Sequence, residues 1–400
     1  MISSEQIIYL DNNATTQLDP AVIEEMLPFL AKYFGNPSSG YGFGAQVRRA
    51  IEVARERVAA LLGCEPGEIV FTSCGTESNN AAVNSALRLD PARQHIVTTA
   101  VEHSATWRQC DDLSERGCPV TMVGVDQDGN LDLEELERAI TAQTAIVSAM
   151  WANNETGVLF PVEKIAEIAR RKRVLFHTDA IQAVGKIPIN LAESTINSLS
   201  LSAHKLHGPK GVGALYLKKR SAFKPSLIGG GQENNRRAGT ENVAGIVALG
   251  KAAECAAASL AEEETRVRAL RDRFENTLLT IVPDVFVNGD RASRLPNTSS
   301  LSFAGIESDA ALVMLDRQQV CCSAGSACRT GSHEASHVLR AMKLSDQRMR
   351  GSMRFSFGRF NTETDLDKAL EIIPKVISKL RGLSSALTAR EANPDPLLVP

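Results

Sequence analysis

The 400-residue chain has 44 lysines and arginines and 47 aspartates and glutamates, and its formal net charge of −3 provides no basic surface for nucleic acid or an anionic membrane. Its 43% hydrophobic and 23% charged residues are ordinary for a soluble enzyme with one large and one smaller domain. We find no run of about eighteen apolar residues, no secretory leader pattern and no disulfide-type spacing among the 8 cysteines. We therefore expect a cytoplasmic protein with free thiols.

The first part of the chain is predicted to form a short strand and two helices. Residues 7–10 form the strand, which ends in the polar turn 11–16. A helix is predicted from Pro20 to about residue 33, because proline is favoured in a first helical turn. Residues 45–62 are amphipathic and charged, which predicts a second helix.

Strands and helices alternate from residue 68 onward. Strands are predicted over 68–72, 94–99, 145–151, 173–177 and 198–201, and we expect the last of these to complete the set. The segments between them, such as 78–89, have helical patterns. This alternation indicates an α/β fold with a mostly parallel sheet covered by helices.

A smaller α+β domain is predicted from residue 262. Its helical stripe is Val267, Leu270, Phe274 and Leu278, its strands lie over 285–287 and 298–303, and its closing helix has Leu366, Leu370, Ile373, Ile377 and Leu380 on one face. We expect an N-terminal segment (1–16) near the active site, a large domain (17–261) and a small domain (262–383). The tail 384–400 has three prolines and no periodicity, which predicts disorder.

Glycine and reactive residues follow the predicted strand ends. They are Gly75, Thr76, His103, Asn154, Asp179 and Lys205. In open α/β sheets, ligands bind at this edge. A lysine at the end of a buried strand is costly unless it is paired, neutralised or covalently engaged, and an aldehyde cofactor would engage its amine. The alternative for Lys205 is a surface lysine that happens to follow a strand.

The neighbours of Lys205 suit a pyridine aldehyde phosphate. Asp179 could keep the ring nitrogen protonated, although an aspartate there could also be a helix N-cap. Gly75 and Thr76 would open a helix whose backbone N–H groups and dipole favour a phosphate. Ser202 and His204 could complete that cradle.

Three further polar residues could contact the ring. His103 could stack on it and move protons, because its ordinary pKa is near neutral, although a lone histidine is more often structural. Asn154 and Gln182 are neutral hydrogen-bonding groups that suit a phenolic oxygen. Polar surface loops would explain these two nearly as well.

A segment rich in cysteine and small residues, 321–332, is predicted to be mobile. Its cysteine spacing matches no common zinc pattern. A thiol at Cys328 on such a loop would suit a nucleophile that has to travel. The alternative, a buried structural cysteine, fits Cys321 and Cys322 better.

The segment 353–360 alternates as a strand. The alternation places Arg354, Ser356 and Gly358 on one face, opposite two phenylalanines. An arginine beside small residues could bind a substrate carboxylate through its planar fork. The alternative is an ordinary surface ion pair.

Taken together, the motifs resemble the class V, fold-type I pyridoxal-phosphate enzymes, and more narrowly the cysteine desulfurases of the group that includes NifS and IscS. They are Tyr9-Leu-Asp-Asn-Asn-Ala-Thr-Thr16, Gly35-Asn-Pro-Ser-Ser39, Cys74-Gly-Thr-Glu-Ser-Asn79, Trp151-Ala-Asn-Asn-Glu-Thr-Gly157, His177-Thr-Asp-Ala180, Ser202-Ala-His-Lys205, Arg237-Ala-Gly-Thr240 and Gly325-Ser-Ala-Cys328. They run in order to about residue 380. The sequences of two of them, 151–157 and 236–240, are most similar to those of the nitrogen-fixation type.

The resemblance implies a seven-stranded-type, mostly parallel sheet and pyridoxal 5′-phosphate carried by Lys205. It implies that Asp179 pairs with the ring nitrogen, that His103 sits over the ring, and that Arg354, Asn154 and Asn13 bind the substrate. That substrate would be L-cysteine, which is converted to L-alanine.

The resemblance also implies where the sulfur goes. Cys328 would become a persulfide that could be a transient ligand of an iron–sulfur cluster and would serve an iron–sulfur scaffold protein. The enzyme would be a homodimer in which Thr240 reaches the cofactor phosphate of the other subunit.

The chain departs from its relatives at three places. Asn235 replaces a frequent glycine, Arg329 follows the cysteine where a small hydroxyl residue is usual, and a proline frequent near Ala335 is missing. Two alternatives also stay open. One is another enzyme on the same fold, such as a selenocysteine lyase, a desulfinase or an aminotransferase. The cysteine on the predicted mobile loop is the feature that argues against it. The other is a non-catalytic sulfur carrier, which would have no use for Lys205.

Overall fold

The computed structural model describes residues 7–324 and 336–392, with side chains to residue 383. The strands are β1 (Ile8–Tyr9), β2 (Ile69–Thr72), β3 (His95–Thr99), β4 (Val120–Val123), β5 (Thr144–Ser148), β6 (Leu175–Asp179), β7 (Ser198–Ser202), β8 (Gly213–Leu217), β9 (Val285–Val287), β10 (Thr298–Phe303), β11 (Val320–Cys321), β12 (Ser323–Ala324) and β13 (Ser352–Ser356).

Most helices lie between these strands. They are α1 (Pro20–Ala31), α2 (Gly42–Leu62), α3 (Gly75–Leu89), α4 (Ser104–Glu115), α5 (Leu133–Ala139), α6 (Val162–Arg171), α7 (Gln232–Asn235), α8 (Val243–Glu262), α9 (Arg268–Ile281), α10 (Ser308–Asp316), α11 (His337–Ala341), α12 (Asp346–Arg350) and α13 (Glu363–Ala392). A π-helical turn, Glu263–Val267, joins α8 to α9, and a 3-10 turn, Ala203–Lys205, follows β7.

A seven-stranded sheet in the order β2-β8-β7-β6-β5-β3-β4 organises the larger part of the chain. Strands β4, β3, β5, β6 and β7 run parallel, which confirms the predicted α/β fold. The prediction that β7 is the last strand of the set is wrong, because β8 pairs antiparallel with both β7 and β2. Strand β8 returns directly after the turn that follows β7, and a short connection permits only an antiparallel neighbour.

Helices cover both faces of this sheet, and its central strands are therefore almost entirely buried. Every residue of β5, β7 and β8 is buried. Helix α8 packs closely on α2, since a Cβ added at Gly250 would lie 2.5 Å from the Cα of Ala54. The larger core thus sits between the sheet and its helices.

A second core surrounds the four-stranded sheet β12-β13-β10-β9. The predicted stripe of α9 is buried there together with Ile8 and Leu10 of the N-terminal segment. Residues of α8 up to Ala253 belong to the larger core, whereas Val267 belongs to the second. The predicted division between residues 261 and 262 therefore lies beside the π-helical turn, where one long helix passes between the two cores.

Helix α13 is longer than the sequence predicts. Helix α13 continues to Ala392, past residue 384, where the disordered tail was predicted to begin; residues 393–400 lie outside the described part.

The stretch Val243–Ile281 has the length and composition of a membrane span, with 56% of its apolar window buried inside the protein. This is weak evidence for a membrane, because a core helix passes the same test.

Candidate active site

A cavity of about 410 Å³ opens at the carboxyl ends of the parallel strands. The predicted residues that line it are Asn13, Gly75, Thr76, His103, Asn154, Asp179, Gln182, Ser202, His204, Lys205 and Arg354. They come from segments that are far apart in sequence. The fold therefore brings the expected cofactor and substrate residues to one place.

Lys205 ends the 3-10 turn after β7 and points at the N-terminal segment. Its Nζ donates a hydrogen bond to the carbonyl oxygen of Asn13 and another, 2.7 Å long, to that of Ala14. The segment is itself held to this turn, because the Thr16 N–H donates to the carbonyl oxygen of His204 at 3.0 Å. The residues around Asn13 thus form one wall of the site.

Asp179 is the last residue of β6 and is only 4% exposed. Its Oδ2 accepts from Asn79 Nδ2 at 2.6 Å and its Oδ1 accepts from the Ile181 N–H at 3.0 Å. Both carboxylate oxygens are therefore held in place. A fixed carboxylate at the cavity wall is what a protonated ring nitrogen requires.

Behind Asp179 lies a row of hydrogen-bonded side chains, Asn79, His177 and Ser198, that the sequence analysis missed. Burial lowers the pKa of His177 to about 3, so its ring is neutral. The Nε2 of His177 lies 3.1 Å from Asn79 Oδ1, and its Nδ1 lies 3.0 Å from Ser198 Oγ. His177 and Asp179 are two residues apart in one strand and hence share a face, and this spacing was the available signal.

The N-terminus of α3 fits a phosphate. Cys74, at the N-cap, makes no side-chain capping bond, so no side chain of that residue competes for the N–H groups of the first turn. A Cβ at Gly75 would lie 2.0 Å from Ile181 Cδ1 and 3.7 Å from Ser202 Cβ, so a larger residue at this position would require the Ile181 side chain to move. Backbone N–H groups and the helix dipole favour an anion there.

His103 caps a helix and also lines the cavity. It is the N-cap of α4, and its Nδ1 accepts from the Ala105 N–H at 3.1 Å. Burial lowers its pKa, with Lys205 contributing further, although Asp179 opposes the shift. The neutral ring therefore has its proton on Nε2, because Nδ1 is the acceptor.

His204 is also neutral. Burial, followed by the charge of Lys205, lowers its pKa to about 4. Its Nδ1 lies 3.2 Å from Thr15 Oγ1, which ties it to the N-terminal segment. A neutral imidazole at this position can still hydrogen-bond to an anion through its other ring nitrogen.

Arg354, on β13, reaches the cavity from the second core. It donates to Asp11 Oδ1 at 2.9 Å, to Ser323 Oγ at 3.1 Å and to the carbonyl oxygen of Asn154 at 2.8 Å. Phe355 points the opposite way, into the second core. The buried guanidinium lines the cavity, where a carboxylate could bind to it.

Two predicted site residues are not part of this group. Thr240 is exposed and lines a separate cavity of about 140 Å³ with Thr72 and Ser73. Cys328 lies outside the described residues, together with Arg329 and Ala335.

The turn at Asn235 and the cysteines Cys321 and Cys322 lie within the described residues. Asn235 has a φ of 62°, the left-handed conformation in which asparagine replaces glycine most easily. Burial raises the pKa of both Cys321 and Cys322. Within residues 7–324 and 336–392, no three His, Cys, Asp or Glu side chains come together as a metal site.

Comparison with known proteins identifies the class. The Aminotransferase class-V family model matches residues 8–369. A "Cysteine desulfurase" of Nostoc sp. is 52% identical over 378 residues, and "Cysteine desulfurase NifS" of Azotobacter vinelandii is 50% identical over 378 residues; each match covers 94% of either chain.

Solved structures agree with this assignment. A "NIFS-LIKE PROTEIN" superposes with a TM-score of 0.88 at 38% identity, covering 94% of this chain and 100% of the other. "SspA in complex with cysteine" superposes with a TM-score of 0.78 at 33% identity, covering 88% of this chain and 99% of the other. The chain belongs to the class-V aminotransferase family, among its cysteine desulfurases.

Proposed function

We propose that this chain converts L-cysteine to L-alanine with pyridoxal 5′-phosphate attached to Lys205, and that it passes the sulfur to a protein acceptor. The observation that carries the proposal is the convergence of Lys205, Asp179, His103 and Arg354 on one cavity. The resemblance to proteins named cysteine desulfurase supplies the substrate.

The residues present fit the cofactor. Lys205 would hold its aldehyde carbon, Asp179 its ring nitrogen, and Gly75, Thr76, Ser202 and His204 its phosphate. The two carboxylate oxygens of Asp179 are already fixed, so little reorganisation is required. When bound, the cofactor supplies an electron sink that makes the C–S bond of cysteine cleavable.

The substrate would be held by its carboxylate. Arg354 offers a buried, planar guanidinium, and Asn13 and Asn154 lie beside it. A planar fork fixes a carboxylate in orientation as well as in position. His103, with its proton on Nε2, would move protons between the substrate carbons and Lys205.

The sulfur would leave on Cys328. The Cys328 thiolate attacks the substrate sulfur, an S–S bond forms, the C–S bond breaks, and the carbon that loses sulfur takes a proton. The products are L-alanine and a persulfide, and no external oxidant or reductant is needed. The neighbouring Arg329 would favour the thiolate.

We further propose a homodimer in the cytoplasm whose persulfide serves an iron–sulfur scaffold protein, and transiently a cluster. The similarity of residues 151–157 and 236–240 to the nitrogen-fixation type favours an acceptor related to nitrogenase. Thr240 lies outside its own chain's cavity, which leaves it available to a neighbouring subunit.

The test is intact mass after brief treatment with L-cysteine in the absence of reductant. We expect a gain of one sulfur that peptide mapping places on Cys328. Cys328→Ala should bind the cofactor and yet release almost no sulfide, whereas Cys321→Ala and Cys322→Ala should keep most activity. Sulfur on another cysteine, or normal turnover by Cys328→Ala, would contradict the proposal.

A further inference from the structure

A second lysine lies beside Lys205. Lys186 is only 5% exposed, and its Nζ donates to Gln182 Oε1 at 2.8 Å and to Asn13 Oδ1 at 3.4 Å. Both acceptors belong to side chains that line the active-site cavity. One ammonium group thus supports two cavity residues from two distant segments.

The Gln182 amide is held at both ends. Its Oε1 accepts from Lys186, and its Nε2 donates at 2.9 Å to the carbonyl oxygen of Asn13. That same carbonyl oxygen accepts from Lys205. The arrangement specifies which end of the amide faces the N-terminal wall, because a reversed amide would place its NH₂ group against the ammonium.

A buried ammonium is a costly way to hold an amide. Removing a charge from water is unfavourable unless it is compensated, and an apolar side chain of similar volume is often no less stabilising. Burial lowers the pKa of Lys186 to about 7, with a further contribution from Lys205, while the carboxylate of Glu263 opposes the shift. A role in stability alone would therefore not favour a lysine here.

Glu263 is the compensating group. It lies in the π-helical turn between α8 and α9, is 6% exposed, and its Oε2 has no hydrogen-bond partner among the described residues. Glu263 and Lys186 line the same small cavity of about 20 Å³, together with Lys205, His207 and Arg359. Such turns inside long helices frequently occur at functional sites.

We propose that Lys186 is a positioning residue that holds the Gln182 amide and the Asn13 side chain beside Lys205, so that Gln182 presents its NH₂ group toward the Lys205 side of the cavity. This inference rests on the proposed function, because the bound cofactor is what the NH₂ group would meet. The class of contact is a hydrogen bond to the phenolic oxygen of the pyridine ring.

The test is a pH titration of the visible absorbance of the holoenzyme, combined with a measurement of cofactor affinity. Lys186→Met keeps the length of the side chain but not its donor, and should shift the titration midpoint by about one pH unit and weaken cofactor binding about tenfold. Lys186→Arg keeps a charged donor and should stay within about twofold of the wild type. The control is Lys218→Met, which removes a lysine that donates to Ser194 O and does not line the cavity.

A double-mutant cycle separates positioning from charge alone. If Lys186 acts through Gln182, most of the shift should disappear when Lys186→Met is made in the Gln182→Ala background. An equal shift in both backgrounds, or an unchanged midpoint in folded Lys186→Met, would overturn the inference.

Glu263→Gln provides a second test of the inference, and the absorbance of the wild-type protein tests the proposed function separately. If Lys186→Met does not fold, Glu263→Gln removes the countercharge without changing shape and should produce a smaller shift that again depends on Gln182; no shift there would also overturn the inference. If the wild-type protein shows no cofactor absorbance, the proposed function fails, which distinguishes that failure from the failure of this inference.

Discussion

The buried Arg354 and the partly exposed Asp11 form an ion pair, 2.9 Å from Nη2 to Oδ1, that joins β13 to the N-terminal segment. The same guanidinium donates to the carbonyl oxygen of Asn154 in the loop after β5. One side chain from the second core therefore contacts both the N-terminal wall and the loop that follows β5 of the large sheet. The part of the cavity where we propose that the substrate carboxylate binds is assembled around this arginine.

The first prediction concerns Arg354→Lys. An ammonium cannot reproduce the planar fork, so we expect KM for L-cysteine to rise by about tenfold or more, with a smaller change in kcat. Steady-state kinetics measure both constants. Arg348→Lys is the matched control, because Arg348 bonds to Val287 O and Asn288 outside the cavity. An unchanged KM in Arg354→Lys would remove the carboxylate assignment.

The second prediction concerns Thr240. If it serves the cofactor of the other subunit, mixing Lys205→Ala protein with Thr240→Ala protein at limiting cofactor should restore activity above that of either parent. In such a dimer, one site has both wild-type residues. Recovery should not exceed half of the wild-type activity. No recovery in mixed dimers verified by mass would count against a shared site.

The third prediction concerns Asn79, which hydrogen-bonds to both Asp179 and His177. Asn79→Ala removes one hydrogen-bond partner from His177 and one from Asp179, at a cost of about 1–3 kcal/mol. We expect cofactor affinity, followed by fluorescence titration, to fall by roughly tenfold. Asn288→Ala removes an equally buried amide from the second core and should lower stability without changing this affinity. Equal effects of the two variants would mean that Asn79 has only a structural role.

The fourth prediction concerns Glu102, which is fully buried. Burial raises its pKa from 4.5 to about 8, so the folded protein binds an extra proton between these values and its stability falls as the pH rises through this window. Glu102→Gln keeps the acceptor for Met150 N–H and Thr99 Oγ1 and removes the titration.

The stability difference between Glu102→Gln and the wild type should therefore increase with pH, by up to about 1.4 kcal/mol for each pH unit. Denaturant unfolding from about pH 5 to pH 8 measures this difference, and comparison of the two proteins cancels the other titrating groups. A constant difference across this range would show that Glu102 is ionised throughout.

The predicted strands largely match the structure because periodicity and turn residues are local properties of the chain. The strands over 285–287 and 298–303 have the predicted bounds. Strand β6 extends to Asp179, two residues past the predicted end, and β5 stops at Ser148. Strands β4 and β8 of the large sheet were missed, because an apolar run does not by itself indicate whether it pairs as a further strand of the sheet. The division into domains and the roles of individual residues stay predictions.

The sequence by itself determined the fold class, because its strands and helices alternate, and its motifs indicated the family and the cavity residues, most of which follow the parallel strands at one edge of the sheet. Only the tertiary structure decided how those residues are supported. Asn79 meets Asp179, Asp11 meets Arg354 and Lys186 meets Asn13 across 100 or more positions of the chain. Such contacts have no local pattern, since they depend on how separate elements pack and on which buried polar groups then have to be satisfied.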